Sequence, residues 1–239
     1  EAIAAVARKW GVVVLSDEIY GQIHHRGEHI SIARFYPEGT IISSGLSKWC
    51  GAGGWRLGTM TFPPALEWLL EAMAFVASET YTSVSAPIQH AAVYAFRGGV
   101  DIERYLRNAR RILSGLGRRV HGILRGGGIR AHAPEGGFYL FLDFEPMRRK
   151  LARRGINGGK SLCESLLAET SAALLPGAAF ERPAGELTAR LAYVNFDGAA
   201  ALAAGEAIAP HEDLPDAFFE QYCQATLNGC RKLAEWAAA

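Results

Sequence analysis

Two short apolar runs that end in polar side chains constrain the fold most strongly. Residues 10–15 lead into Asp17, and residues 40–42 lead into a glycine-rich segment over 43–58. Runs of this length, rich in β-branched residues, are typical of buried strands in a parallel sheet. In open α/β sheets, ligands bind outside the carboxyl ends of the strands. The two runs therefore predict an α/β fold with a crevice in which Asp17 lies close to side chains of the segment 43–58.

The segment 43–58 carries two cationic side chains among small, polar and aromatic residues. Lys48 follows the second predicted strand, and Arg56 lies further along the same segment. Burial at a strand end favours the neutral amine, which is the form that attacks a carbonyl carbon. The guanidinium group has a planar fork of donors that suits a phosphate, and the intervening glycines let the backbone approach a bound group. With Asp17 and Tyr20 in the same crevice, these side chains have the chemistry that pyridoxal phosphate requires.

Further motifs follow in order along the chain. They are SDEIY at 16–20, SGLSK at 44–48, GWRLG at 54–58, EGGFYL at 135–140, LPGAAF at 175–180 and ARL at 189–191. This ordered set resembles the class I/II pyridoxal-phosphate-dependent aminotransferases of fold type I. The resemblance implies an α/β fold, with part of the mixed, mostly parallel sheet of a pyridoxal-phosphate domain over 1–100. A smaller α+β C-terminal domain is implied over 101–239.

The resemblance implies a role for each polar residue of the first motifs. Lys48 would bind the cofactor covalently and then transfer protons as the catalytic acid and base. Asp17 would pair with the pyridine nitrogen and keep the ring protonated, so that the ring stays an electron sink. Tyr20 would donate a hydrogen bond to the phenolate oxygen of the cofactor. Arg56 and Ser47 would hold the phosphate.

The last motif places another cation, Arg190, on a predicted strand. By resemblance, Arg190 would clamp the α-carboxylate of the substrate with a two-pronged contact; the alternative is a surface arginine that pairs with a neighbouring carboxylate. The implied reaction moves an amino group between an amino acid and a 2-oxo acid. Residues 57–96 contain no arginine or lysine. Aspartate-type relatives carry a side-chain-binding arginine in the corresponding loop, so this mode of dicarboxylate recognition is disfavoured.

The chain departs from the family pattern in two respects. It resembles the C-terminal half to two-thirds of the family, without the glycine-containing phosphate loop and the ring-stacking aromatic. In addition, Gly45 stands where many relatives carry a phosphate-binding serine. We therefore expect a homodimer, and we expect the chain by itself to bind the cofactor weakly. Two alternatives remain open: another pyridoxal-phosphate reaction, such as a lyase or decarboxylase, and a non-catalytic dimerisation module.

The composition argues against several other classes of protein. The formal net charge of +1 argues against nucleic acid or a membrane surface as the main partner. No apolar run reaches transmembrane length, and the first residues lack a signal-peptide pattern. The cysteines lack metal-site spacing, and the histidines within 24–29 lack suitable partners for a metal. We therefore expect a cytoplasmic protein with reduced thiols and no bound metal.

Periodicity and capping residues predict the remaining elements. The expected helices are 1–9, 63–78, 87–96, 101–124, 145–154, 161–170 and 215–236. The expected strands are 12–16, 40–44, 57–61, 129–132, 137–143, 173–175 and 188–194. Asp101 is expected to cap the long helix, whose apolar residues recur at helical spacing.

Overall fold

The structure is a computed structural model that describes residues 1–239. It divides into two compact units, 1–106 and 107–239. The sequence places the domain boundary at 100/101, a few residues earlier and at the start of the long helix that crosses from one unit into the other.

The first unit contains a three-stranded sheet in the order β1-β2-β3. Strands β1 and β2 are parallel, and β3 pairs antiparallel with β2. The elements of this unit are α1 (Ala2–Trp10), β1 (Val14–Asp17), β2 (Thr40–Gly45), β3 (Gly58–Thr61), α2 (Glu67–Thr80), α3 (Ala86–Arg97) and the start of α4 (Val100–Gly126).

The turn from α1 into β1 depends on a glycine. Gly11 has a φ of 61°, in the left-handed region that favours this residue, and its amide donates to the carbonyl of Ala7 at the end of the helix. The buried face of α1 consists of Ala4 and Ala7, which pack against Tyr36. Small side chains on the helix let this ring lie close to the helix backbone.

Strand β1 is parallel to β2 as expected, but it is less buried than the apolar run predicts. Its side chains alternate between half-buried and exposed, and Leu15 is 60% exposed. Strand β1 is the terminal strand of the sheet, with β2 as its one neighbour. An apolar run shows that both faces of a strand can be buried, but it does not show which element covers them.

The second unit places helices around a small antiparallel sheet in the order β4-β6-β5. Besides the rest of α4, its elements are β4 (Tyr139–Asp143), α5 (Arg148–Arg153), α6 (Gly159–Thr170), β5 (Leu175–Pro176), β6 (Thr188–Ala192), α7 (Gly198–Glu206), α8 (Asp216–Tyr222) and α9 (Gln224–Ala238). Along α4, Leu116, Val120 and Leu124 recur at helical spacing and are fully buried, which confirms the predicted apolar stripe. The mixed sheet of the first unit and the helices and strands of the second agree with the predicted fold class.

Several predicted elements differ from the structure. Residues 129–132 form one isolated bridge, between Arg130 and Asp143, rather than a strand. The predicted helix 215–236 is interrupted at Cys223, between α8 and α9. Asp101 lies inside the first turn of α4, where its carboxylate accepts from Arg104, and so it does not cap the helix. No helix has the length and apolar composition needed to cross a membrane.

Candidate active site

Three of the predicted site residues lie at one edge of the sheet in the first unit. Asp17 is the last residue of β1, Lys48 follows the end of β2, and Arg56 precedes the start of β3. Because β1 and β2 are parallel, their carboxyl ends share an edge, and the antiparallel β3 begins at that same edge. The sheet topology therefore brings together side chains from separate parts of the sequence.

Lys48 lies beside Tyr20, in a segment anchored by buried side chains. Its neighbours Leu46 and Trp49 are buried, and the Trp49 ring packs edge-to-face against Phe96 at 5.8 Å between centroids. The Lys48 side chain is half-buried, with Nζ 5.8 Å from the centroid of the Tyr20 ring. This exposure is greater than the strand-end position predicts, because the segment after β2 lies at the rim of the sheet.

The Asp17 carboxylate faces solvent at the end of β1. Its Oδ1 accepts a hydrogen bond from the amide of Ile19 at 3.2 Å, which orients the carboxylate at the turn after the strand. In the sheet, Asp17 lies opposite Ser43, and the next amide, that of Glu18, donates to the Ser43 carbonyl at 2.8 Å. The backbone on both sides of the carboxylate is therefore fixed.

Arg56 and Ser47 both approach Gly53. Arg56 ends a short 3-10 helix with a φ of 57°, which is unusual for a residue with a side chain, and its Nη1 donates to the Gly53 carbonyl at 2.7 Å. A β-carbon placed on Gly53 would lie 3.5 Å from the Ser47 carbonyl oxygen. The Arg56 guanidinium group and the Ser47 residue thus border the same glycine, and a guanidinium group is a suitable donor for an anion.

Close packing between β2 and β3 explains why position 45 is a glycine. A β-carbon there would lie 2.7 Å from the carbonyl oxygen of Leu57, closer than van der Waals contact allows. Gly45 is buried and faces Gly58 across the β2–β3 pair. A serine at this position would require the two strands to separate, so the structure disfavours a serine ligand there.

Arg190 lies in the second unit, on the central strand β6. Its guanidinium carbon is 4.4 Å from the centroid of the Tyr139 ring and 4.5 Å from that of Phe180. Phe180 in turn packs edge-to-face against Phe141, which is opposite Arg190 in the β4–β6 register. Rings stacked on a planar guanidinium leave its N–H edges to bind a ligand.

Sequence reasoning missed Tyr139 and Phe180 as partners of Arg190. Both residues lie in motifs that the sequence singles out, EGGFYL and LPGAAF. Alternation along β4 signals that Tyr139 and Phe141 share one face of the sheet. Nothing in the sequence indicates that the 177–180 turn brings Phe180 to that face.

The histidine and cysteine side chains are the other candidates for a functional site. The structure has no group of three or more histidine, cysteine, aspartate or glutamate side chains that could hold a metal. All four cysteines are free. Burial raises the pKa of the Cys50 thiol, which reduces the fraction of reactive thiolate near Lys48.

Comparison with known proteins identifies the family. The family model for aminotransferase class I and II matches residues 1–195. The chain is 30% identical to an aspartate aminotransferase of Geobacillus stearothermophilus over 77% of this chain and 46% of the relative. It is 30% identical to an asparagine–oxo-acid transaminase of Streptococcus mutans over 82% of this chain and 48% of the relative. The chain therefore belongs to the class I and II aminotransferase family, whose members depend on pyridoxal phosphate, and it spans about half the length of these relatives.

Solved structures show the same fold. A Thermus thermophilus aspartate aminotransferase matches with a TM-score of 0.71 at 25% identity, over 98% of this chain and 50% of the other. An aromatic aminotransferase from Pyrococcus horikoshii matches with a TM-score of 0.71 at 24% identity, over 98% of this chain and 53% of the other. The second likeness supports the fold alone.

The residues at the sheet edge fit pyridoxal phosphate by their chemistry. Lys48 supplies an amine for the aldehyde, and Tyr20 supplies a phenol next to that amine. Asp17 supplies a carboxylate, Arg56 supplies a guanidinium group beside Gly53, and Ser47 lies against the same glycine. These are the groups needed for the aldehyde, the ring and the phosphate of the cofactor.

Proposed function

We propose that the complete gene product carrying this chain is a pyridoxal-phosphate-dependent aminotransferase. It moves an amino group between an amino acid and a 2-oxo acid. The observation that carries this proposal is the position of the Lys48 amine beside the Tyr20 ring, at the sheet edge that also holds Asp17 and Arg56. Membership of the family supports the same chemistry.

Each residue of the sheet edge has a distinct task in this proposal. When bound, pyridoxal phosphate supplies an electron sink for negative charge that develops at the substrate α-carbon. Lys48 Nζ would hold the cofactor covalently until the amine of the substrate displaces it, and the freed amine would then move a proton from the substrate α-carbon to C4′ of the cofactor. Asp17 keeps the pyridine nitrogen protonated, because a nearby carboxylate favours the cationic ring. Arg56 and Ser47 hold the phosphate.

Arg190 binds the α-carboxylate of the substrate in this proposal. The rings of Tyr139 and Phe180 restrict its guanidinium to one plane, so that two parallel N–H bonds to a carboxylate are favoured. Residues 1–106 then belong to the large cofactor domain of the family and 107–239 to its small domain.

We also propose a cytoplasmic homodimer. The whole of α2 lacks a buried residue, and its side chains Trp68, Phe75 and Val76 are exposed. An apolar surface of this kind is typical of a protein–protein contact. Four free cysteines are typical of a reducing compartment.

Covalent labelling tests the assignment of Lys48. The complete gene product is loaded with pyridoxal phosphate, reduced with borohydride, digested and analysed by mass spectrometry. We expect the label on Lys48, and a label on Lys9 or Lys150 instead contradicts the proposal. Product analysis with and without a 2-oxo acid separates transamination from lyase or decarboxylase activity, because only transamination requires the acceptor.

A further inference from the structure

A second carboxylate at the end of β1 is bound by three donors. Glu18 Oε1 accepts from Ser16 Oγ at 3.0 Å and from Ser31 Oγ at 2.5 Å, and Glu18 Oε2 lies 2.9 Å from His29 Nε2. The Glu18 side chain is only 12% exposed. Its burial alone would raise the pKa of this carboxyl, but the hydrogen bonds from Ser31, His29 and Ser16 outweigh burial and hold the pKa below its ordinary value. The carboxylate is therefore ionised and committed to protein donors.

This cluster contacts the backbone on both sides of Tyr20. The Gly21 amide donates to the Glu18 carbonyl at 2.9 Å, which closes a turn around Tyr20. The His29 imidazole lies against Gly21, so closely that a β-carbon on this glycine would stand 2.7 Å from His29 Cδ2. Residues 18 and 21 are thus fixed by the same imidazole, one through its side chain and the other through its backbone.

We propose that Glu18, His29 and Ser31 are positioning residues that hold Tyr20 beside Lys48. The inference deepens the proposed function and rests on it, because it gives Tyr20 a part in cofactor binding. The three residues act through the turn around Tyr20, since the Glu18 oxygens are already occupied by Ser16, Ser31 and His29. Ser31 and His29 belong to a loop that returns to the strand end, so their contacts close the segment that contains Tyr20.

The test uses the complete gene product with the variants Glu18→Gln, His29→Ala and Tyr20→Phe. Glu38→Gln is the matched control, because Glu38 pairs with Arg8 on the exposed surface of the same unit. The first measurement is the Kd of pyridoxal phosphate. We expect this Kd to rise by about tenfold in Glu18→Gln and in His29→Ala, which is the size of effect that residues orienting a ligand-binding group usually have. Glu38→Gln should leave the Kd unchanged.

The second measurement is the pH at which the absorbance of bound pyridoxal phosphate changes. We expect His29→Ala and Tyr20→Phe to shift this midpoint in the same direction. His29→Ala should add nothing further in the Tyr20→Phe background, since it acts through Tyr20. Shifts that add in the double variant, or a His29→Ala variant with an unchanged midpoint and Kd, overturn the inference.

A third measurement is independent of the cofactor. Hydrogen–deuterium exchange of the cofactor-free protein reports the opening of the turn over residues 19–23 directly. Exchange there should accelerate in Glu18→Gln and in the milder variant Ser31→Ala, and stay unchanged in Glu38→Gln. Unchanged exchange in both variants overturns the inference, even if the protein binds no pyridoxal phosphate. Absence of cofactor binding with accelerated exchange refutes the proposed function instead.

Discussion

Replacing Phe180 with leucine removes one of the two rings that hold the Arg190 guanidinium. The centroid of that ring lies 4.5 Å from the guanidinium carbon, well inside the range of a cation–π contact. Arg190 is half-buried, so the contact is worth about 1 kcal/mol, between the values for exposed and desolvated sites. Leucine keeps most of the apolar volume but removes the contact between this ring and the guanidinium group, so the Arg190 side chain gains rotational freedom.

The expected result is a selective loss of substrate binding. If Arg190 clamps the α-carboxylate, about 1 kcal/mol of lost positioning raises the KM by roughly fivefold. The KM should rise for the amino acid and the 2-oxo acid alike, because both carry the carboxylate. Phe180→Tyr is the matched control, because it keeps a ring over the guanidinium group, and its KM should stay close to that of the unmodified protein.

Steady-state kinetics of the complete gene product with both substrates provide the assay. The KM of Arg190→Lys shows how large the effect is when the carboxylate clamp is lost completely, since lysine cannot make the two-pronged contact. Equal KM values in Phe180→Leu and Phe180→Tyr would refute the role of the ring. A normal KM in Arg190→Lys would refute the carboxylate clamp itself and favour a structural role for this arginine.

Three further changes test separate parts of the structure. Asp17→Ala should slow the half-reactions, followed by the absorbance of bound pyridoxal phosphate, by about tenfold or more, because a charge-assisted contact to the ring is lost; an unchanged rate contradicts the role. Gly45→Ser should lower the free energy of unfolding in urea by about 1–3 kcal/mol through overpacking between strands, whereas Gly54→Ser, in open space, should have little effect. The Arg148 guanidinium, with a backbone amide, lowers the pKa of Glu145 from 4.5 to about 2. The folded-state pKa is depressed, so the stabilisation is present above pH 4.5 and is lost as the pH falls toward 2. With the side chain 29% exposed and partly screened, Glu145→Gln should cost about 1–2 kcal/mol in urea at pH 7 and almost nothing near pH 2; a cost independent of pH would contradict this assignment.

The first two strands and the polar residues at their carboxyl ends could be predicted because each depends on local sequence. Apolar runs locate β1 and β2, and the polar residues after each run must lie at the carboxyl edge when the strands are parallel. The structure places Asp17 and Lys48 at that edge accordingly. The long helix α4 was predictable for the same reason, since the spacing of its apolar residues along the sequence shows which face is buried.

Helix α7 illustrates what periodicity cannot detect. Its sequence, Gly198–Glu206, is nearly all small and apolar residues, so it has no polar face to contrast with a buried one. The signal lies instead at its start, where Asp197 Oδ1 accepts from the amides of Ala199 and Ala200 at 3.0 Å each. Alanine then propagates the helix because it has the highest helix propensity.

The orientation of the site side chains could not be predicted, because it depends on contacts between residues that are distant in sequence. Glu18 receives hydrogen bonds from a loop that begins only after the turn at Tyr20, and sequence alone gives His29 no partner. Arg190 is held by rings from the β4 strand and from a turn between β5 and β6. In both cases a charged group is fixed by neighbours that bind no ligand themselves. Motifs therefore identify which residue types are available for chemistry, whereas packing against other segments of the chain decides how those side chains are oriented.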